Sequence, residues 1–466
     1  MSRDELREAL LGVLGDPQRV SAGPSILDQH AADLTLHAPR RPDVVVYARS
    51  TREVAAVLAL ANERGVAVTP FGLGTSLEGH VIPLAGGISL DMSQMAAVIE
   101  VRPRDLTIVV QPGATRSAVN ARAGEHGLCF PVDPGADATV GGMAATNASG
   151  TTTVRYGSMR RQVLGLEAVL ADGRVIRTGG RSLKTAAGYD LTDLLIGSEG
   201  TLAVITELTI RLHGIPEHTL AARAVFADVD AACRTATALI AWGVPVVRVE
   251  LLDAHTIAAV NAFKGSDFVE APSLFLELAG SKASVQADVE VAREIADEHG
   301  GASFEFDSDN TARARLWEAR HDAAFAVMAL APGKKPKSTD VCVPLSELPD
   351  AIAFARAELA RQAIVAGVAG HVGDGNYHVA MMVDPDDPEE VARVAGFERS
   401  IVDDALARGG TCSGEHGIGL GKIGHLQREH GDLVPLMQTI KSGLDPNWIL
   451  NPGKVMSVPA QENHST

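Results

Sequence analysis

Apolar residues fall along this chain in short blocks of two spacings, and those spacings predict the elements. Asp4 to Leu14 carries leucines at helical spacing and predicts a short amphipathic helix. Val44-Val45-Val46-Tyr47 is a buried-type strand. It is followed by a helix with Ser50 or Thr51 as cap, Glu53 in the first turn, an apolar face of Val54, Val57, Leu58 and Leu60-Ala61, and Gly65 as the stop. The strand Val66 to Phe71 follows directly, so the chain opens on a compact βαβ unit. Further strands are predicted at Ile108-Val109-Val110, Leu166 to Leu170 and Val175-Ile176, with Asp172-Gly173 turning a hairpin between the last two.

Beyond Gly214-Ile215-Pro216-Glu217 the texture changes. Helical stretches (Val229 to Trp242, Val285 to His299, Leu348 to Gln362) alternate with apolar strands (Val246 to Leu252, Leu274 to Leu278, Val341 to Val343). This predicts a second α+β domain with helices on one side of a sheet. A helix over Leu433 to Ser442 leads to Asn451-Pro452-Gly453-Lys454, and Glu462 to Thr466 reads as a polar, frayed tail. The expected class is α+β. The expected domains are a cofactor domain over residues 1–215, a second domain over 216–424, and a C-terminal segment over 425–466.

Composition narrows the picture. At 466 residues the chain exceeds one ordinary core. Its net charge of −17 argues against nucleic acid or an anionic membrane surface as a partner, and suits a basic redox protein. Cys129, Cys233, Cys342 and Cys412 are scattered without CxxC spacing, which predicts reduced thiols in a cytoplasmic enzyme. No apolar run reaches the roughly 20 residues that span a bilayer. The N-terminal residues show no signal core.

The candidate chemistry lies in glycine-rich runs. In Gly370-His371-Val372-Gly373-Asp374-Gly375-Asn376-Tyr377-His378 the turn formers Gly373 to Asn376 predict a strand, a tight turn and a second strand, with the two histidines brought close. Ser413-Gly414-Glu415-His416-Gly417-Ile418-Gly419 lies about forty residues downstream. His371, His378 and a carboxylate make a three-ligand set that leaves a coordination position open, as catalytic metal sites do. Three more small-residue runs, Gly72 to Gly79, Gly141 to Thr151 and Gly197 to Thr201, suit an extended phosphate-bearing ligand, because bare backbone N–H groups cradle anions. Residues alone do not separate nucleotide from flavin. Gly417 to Lys422 looks superficially like a P-loop, but the spacing is one residue short and Ile423 stands where Ser or Thr is required.

Pro70-Phe71-Gly72-Leu73-Gly74-Thr75-Ser76-Leu77-Glu78-Gly79-His80 resembles the first flavin loop of FAD-linked D-2-hydroxy-acid dehydrogenases. Pro131 to Thr146 resembles their second. The runs His371 to His378, Ser413 to Gly419 and Asn451 to Lys454 are similar to their C-terminal motifs, in the same order, and the likeness covers about Arg40 to Val455. The resemblance implies a vanillyl-alcohol-oxidase (PCMH-type) FAD domain, a ferredoxin-like substrate domain and a C-terminal segment, 425–466, that packs back on the FAD domain, and is nearest to the D-lactate dehydrogenase (cytochrome) branch. It places Gly72, Gly74, Thr75 and Ser76 at the pyrophosphate, with Pro70 among the cofactor-binding residues. Pro134, Gly135, Gly141, Gly142, Thr146, Ser149, Gly150 and Asn451 would contact the rest of the FAD, with Glu199, Gly200 and Ile205 near its adenosine half. It implies a divalent metal, zinc or manganese, on His371, His378 and Glu415, with His416 as base. Arg320, in Leu316 to His321, would hold the substrate carboxylate; read without the resemblance, it is a helix-surface partner of Glu318 or Asp322.

Relatives that take hydroxyglutarate carry a lysine where this chain has Ser338, with Lys337 one step off. That favours a 2-hydroxy monocarboxylate such as D-lactate over a dicarboxylate; glycolate and D-2-hydroxyglutarate are the alternative substrates. The expected acceptor is a cytochrome, a quinone or an electron-transfer flavoprotein, with a homodimer as a further candidate assembly. His80 beside the first loop invites a covalent flavin link, but nearby relatives hold FAD without one. A metallohydrolase is the rival reading; it leaves the three glycine-rich runs unexplained. An assembly subunit without turnover would have no use for Arg320 and the complete histidine set.

Overall fold

A computed structural model describes residues 1–459. The tail expected at Glu462 to Thr466 lies outside them. The chain divides into two compact units. The first comprises Met1–Ala148, Ser158–Gly214 and the chain from Glu415 onward; the second comprises Ser149–Gly157 and Ile215–Gly414.

The first unit opens with the helix Arg3–Leu14, started by a capping box between Ser2 and Glu5 and ended by left-handed Gly15. Its Leu6, Leu10 and Leu14 are buried with Val44, Val46, Val54, Val57, Leu58 and Val68. The helix Thr51–Arg64 is capped by the Ser50 side chain and stopped by Gly65 at φ +62°, where a side chain would be strained. The strands on either side of that helix are not neighbours. Ile88–Asp91 lies between Val44–Tyr47 and Val68–Phe71, parallel to both. A second sheet runs Val98–Arg102, Thr107–Val110, Val204–Arg211, Val163–Val169, Val175–Gly179, antiparallel throughout. Its last hairpin turns on Gly173 at φ +85°.

The C-terminal segment returns to this unit from Glu415, ten residues earlier than the sequence pattern suggests. Leu450 bridges Val68 in parallel. The buried ammonium of Lys441 donates to the carbonyls of Thr201 and Leu450 and to the Asp445 carboxylate.

The second unit is built on one large sheet. Its strands run Gly301–Asp307, His218–Phe226, Ser273–Gly280, Val246–Leu252, Ala366–His371, Asn376–Val383, Lys335–Ser338, with Val341–Cys342 also paired to Asn376–Val383. The helices Val229–Ala241 and Lys282–Glu298 pack on it. The sheet is not covered on one side only, as expected, because side chains alternate along a strand. Leu252 and Met382 meet Ile257, Ala319, Ala323 and Val327 of shorter helices on one face. Tyr377, of opposite parity to Met382, reaches the Ala351 carbonyl in the helix Leu348–Gln362.

The short piece Ser149–Gly157 belongs with this unit rather than with the chain on either side of it. Thr151 accepts from Arg248 Nε at 2.7 Å, Arg155 donates to the Pro245 carbonyl at 3.0 Å, and a Cβ on Gly373 would lie 2.7 Å from Val154. Among the described residues no helix is long and apolar enough to cross a membrane.

Candidate active site

In the second unit the histidine hairpin forms as its turn residues dictate. Ala366–His371 and Asn376–Val383 pair with His371 opposite Asn376 and Ala369 opposite His378. His371 and His378 therefore lie diagonally on one face, with ring centroids 5.3 Å apart and planes nearly perpendicular. Each ring has its Nδ1 committed to an oxygen that can only accept. His371 Nδ1 donates to Glu250 Oε1 at 2.7 Å, and His378 Nδ1 donates to the Thr339 carbonyl at 3.0 Å. In its neutral form each ring would then carry its lone pair on Nε2, the form in which imidazole ligates a metal.

Glu250 is fully buried in the strand Val246–Leu252, next to Leu251, which pairs with Gly370. Its second oxygen accepts from Arg320 Nε at 2.8 Å and lies 2.7 Å from Arg320 Nη2. Burial opposes its charge, but His371 and Arg320 hold its pKa below the usual carboxylate value. Arg320 is thus not a partner of Glu318 or Asp322. Lys264 takes that role, 2.6 Å from Asp322 and 3.8 Å from Glu318. Arg248 lies two residues before Glu250, on the same face, against Glu277 at 3.0 Å and over the Trp317 ring at 4.9 Å.

Sequence reasoning missed Glu250, and also Asp340. Buried Asp340 accepts from Asn376 Nδ2 at 3.0 Å and from Ser413 Oγ at 2.8 Å. Ser413 and Gly414 are thereby fixed beside the hairpin. A Cβ on Gly414 would lie 2.1 Å from Asn376 Nδ2, so only glycine fits there. The second unit ends at Gly414, and Glu415 is the next residue.

In the first unit, the residues after His416 are held by backbone bonds. Ile418 and Gly419 each donate their N–H to the Glu199 carboxylate at 2.7 Å. Leu420 N–H donates to the Glu78 carbonyl at 2.7 Å, and Lys422 Nζ lies 3.1 Å from Glu78 Oε1. Glu415 and His416 approach each other only to 4.0 Å, which is not a hydrogen bond. Glu199 faces the chain's own C-terminal motif and buried His80, at 3.3 Å, with its backbone at φ +54°. Burial works against both charges, yet the pair raises the His80 pKa and lowers that of Glu199. Lys454 donates to the Ile82 carbonyl at 2.6 Å, and burial pushes its ammonium down to about 8 against the pull of Glu199 and Asp33.

The glycine-rich runs are packed as cradles. A Cβ on Gly72 would lie 2.5 Å from Thr139 Oγ1, and one on Gly141 would lie 2.4 Å from the Pro112 Cβ. The backbone there comes closer than any side chain allows. Gly74 and Gly200 have φ of +66° and +71°, with Gly200 against the Pro70 ring. Gly79 N–H and Ser76 Oγ donate to Asp33 at 2.8 and 3.4 Å, a third residue that sequence reasoning missed. Thr139 caps the helix Val140–Thr146 by accepting from Gly142 N–H at 3.3 Å, and Thr146 Oγ1 donates back to the Gly142 carbonyl. A Cβ on Gly135 would have nothing within 4 Å. Ile205 is buried in Val204–Arg211. Ser149 and Gly150 belong to the second unit, where Gly150 N–H donates to Thr153 Oγ1.

Asn451 Nδ2 donates to the carbonyls of His80 and Glu199, while its buried Oδ1 has no hydrogen-bond partner among the described residues. A buried orphan acceptor beside glycine cradles fits a polar cofactor, since leaving it unmade costs about 1–3 kcal/mol.

Comparison with known proteins fits these two halves. A family model described as "FAD binding domain" matches residues 42–179, and "FAD linked oxidases, C-terminal domain" matches residues 215–455. The chain belongs to the FAD-linked oxidases. Within that family it is 47% identical to "Probable D-lactate dehydrogenase, mitochondrial" of Danio rerio, over 96% of this chain and 90% of that one. It is 43% identical to "D-lactate dehydrogenase [cytochrome], mitochondrial" of Arabidopsis thaliana, over 89% and 73%. Both relatives are named as mitochondrial, so the cytoplasmic expectation finds no support in them. The fold is shared with a 4-ethylphenol oxidase from Gulosibacter chungangensis (TM-score 0.81, 19% identity, 98% of both chains) and with p-cresol methylhydroxylase (TM-score 0.78, 17% identity, 97% of both). The PCMH-type flavin fold expected from the first loops is therefore the fold found.

Proposed function

We propose that this protein oxidises D-lactate to pyruvate, with a divalent metal, zinc or manganese, held by His371, His378 and Glu415. The observation that carries the reading is one sheet face bearing two imidazoles with basic Nε2 atoms and an arginine tied to one of them through Glu250. Gly414, locked beside Asn376, delivers the chain to Glu415 one peptide bond later. FAD, when bound, takes up two electrons from the substrate carbon and passes them on, and the metal supplies Lewis acidity toward the substrate hydroxyl.

The remaining work falls to side chains. Arg320 presents the guanidinium edge not used by Glu250 to the substrate carboxylate and fixes which face is oxidised. His416 takes the hydroxyl proton on an imidazole nitrogen, the side-chain group most often used as a base near neutral pH. The hydroxyl proton would go to His416 and the hydrogen on the same carbon, with its electron pair, to bound FAD, which balances the conversion of hydroxyl to ketone. The acceptor that reoxidises the flavin is a cytochrome, a quinone or an electron-transfer flavoprotein, and the net charge of −17 suits a basic cytochrome.

Lys337 supports a monocarboxylate. It lies 2.5 Å from Glu398, and alternation along Lys335–Ser338 turns it to the face opposite Ser338. An anaerobic absorption titration tests the reading. D-lactate should bleach the flavin bands, while L-lactate and D-2-hydroxyglutarate leave them largely unchanged at equal concentration. Preferential bleaching by D-2-hydroxyglutarate would transfer the assignment to a dicarboxylate.

A further inference from the structure

A single buried carboxylate serves two groups with different tasks. Glu250 Oε1 takes the Nδ1 proton of His371, and Oε2 takes the Nε–Nη2 side of Arg320, with no solvent exposure at Glu250 itself. A carboxylate only accepts, so both partners must donate. One contact therefore fixes the tautomer of His371, and the other fixes which edge of the guanidinium is left for an incoming anion.

We infer that Glu250 is a positioning residue that couples metal loading to capture of the substrate carboxylate. The inference rests on the metal and substrate roles proposed above and adds a dependence between them. Drawing Arg320 toward an external carboxylate loosens its hold on Oε2 and leaves more negative charge for His371. The His371 Nε2 then becomes a better electron donor to a cation. Loading a cation on Nε2 acidifies the Nδ1 proton, tightens its bond to Glu250, and frees guanidinium charge for the substrate. Because binding linkage is reciprocal, each event favours the other.

The test is a double-mutant cycle on FAD-loaded enzyme, with Zn2+ affinity measured by competition against a chromogenic chelator. Arg320→Ala leaves the full Glu250 charge to His371, so Zn2+ affinity should rise severalfold or more. The same change made on Glu250→Gln should leave affinity within twofold of that variant. Glu250→Gln alone should lose about 10–100-fold in affinity, as loss of a partner to a ligating histidine typically does. It should also raise KM for D-lactate, while Glu250→Asp recovers part of both. Equal effects of Arg320→Ala in the two backgrounds, or no effect in either, overturn the coupling.

A metal-free readout covers variants that fold poorly. The 15N resonances of His371 should report a proton on Nδ1 in the parent and shift with Arg320→Ala; an unmoved resonance also overturns the proposal. His371→Ala and His378→Ala separate the two levels of the argument. If neither lowers Zn2+ affinity, the metal assignment itself fails and the coupling falls with it. If both lower it while Arg320→Ala does nothing, only the coupling fails.

Discussion

The Glu199 carboxylate accepts the backbone N–H of Ile418 at 2.7 Å across 219 residues of sequence. Its other oxygen accepts from Gly419, and His80 stands beside it, so one buried group ties the third glycine-rich run to the segment just after His416. Glu199→Ala should remove two charge-assisted bonds and strand His80. Breaking a buried ionic arrangement at one partner costs about 3–5 kcal/mol. Chemical denaturation of the FAD-loaded protein should show that loss, with Glu199→Gln intermediate because one amide oxygen still accepts. A variant as stable as the parent would remove Glu199 from this role.

The same pair sets a pH window. Glu199 has a lowered folded pKa, so its contribution is full above the unfolded carboxylate value of about 4.3 and is lost as pH falls through the folded value. His80 has a raised folded pKa, so its contribution is full below about 6.5 and is lost as pH rises through the folded value. The stability gap between the parent and His80→Asn should therefore be widest near pH 5–6 and should narrow toward pH 9. A gap that widens with pH would reverse the sign of the His80 shift.

The cradle glycines make a separate prediction. A methyl group at Gly141 collides with Pro112, whose backbone oxygen would lie 2.9 Å away, so Gly141→Ala should cost about 1–3 kcal/mol and lower FAD content. Gly12→Ala, in the exposed part of the first helix with nothing within 4 Å, should instead stabilise by about 0.5–1 kcal/mol. Thermal unfolding of the two variants beside the parent checks both signs at once.

What could be read from the sequence follows the range of the forces involved. The histidine hairpin was legible because Gly373 to Asn376 is a local turn signal, and the capped helix Thr51–Arg64 because its cap and stop lie in adjacent residues. Glu250 was not. One carboxylate inside Val246–Leu252 has no periodic partner, and its meaning comes from Arg320 and His371, 70 and 121 residues away. Arg248 and Glu250 inside an otherwise apolar strand were the available signal, since burying charge demands partners. The resemblance placed Glu199 near the adenosine half of FAD; that its carboxylate accepts from Ile418 and Gly419, 219 and 220 residues away, has no local signal. Strand order was hidden for the same reason. Ile88–Asp91 enters between two strands that sequence proximity joins.

The proposed oxidation of D-lactate needs both the metal ligands and the base. Its most direct test is anaerobic single-turnover bleaching of the flavin by D-lactate, with metal content determined on the same samples. The parent should bleach, and should cease to do so after chelation while keeping its FAD. His416→Ala should keep metal and FAD but bleach about 10²–10⁴ times more slowly, whereas Glu415→Ala should lose metal and recover in part with excess Zn2+ or Mn2+. Full-rate bleaching by a preparation shown to be metal-free, or by His416→Ala, would contradict the account.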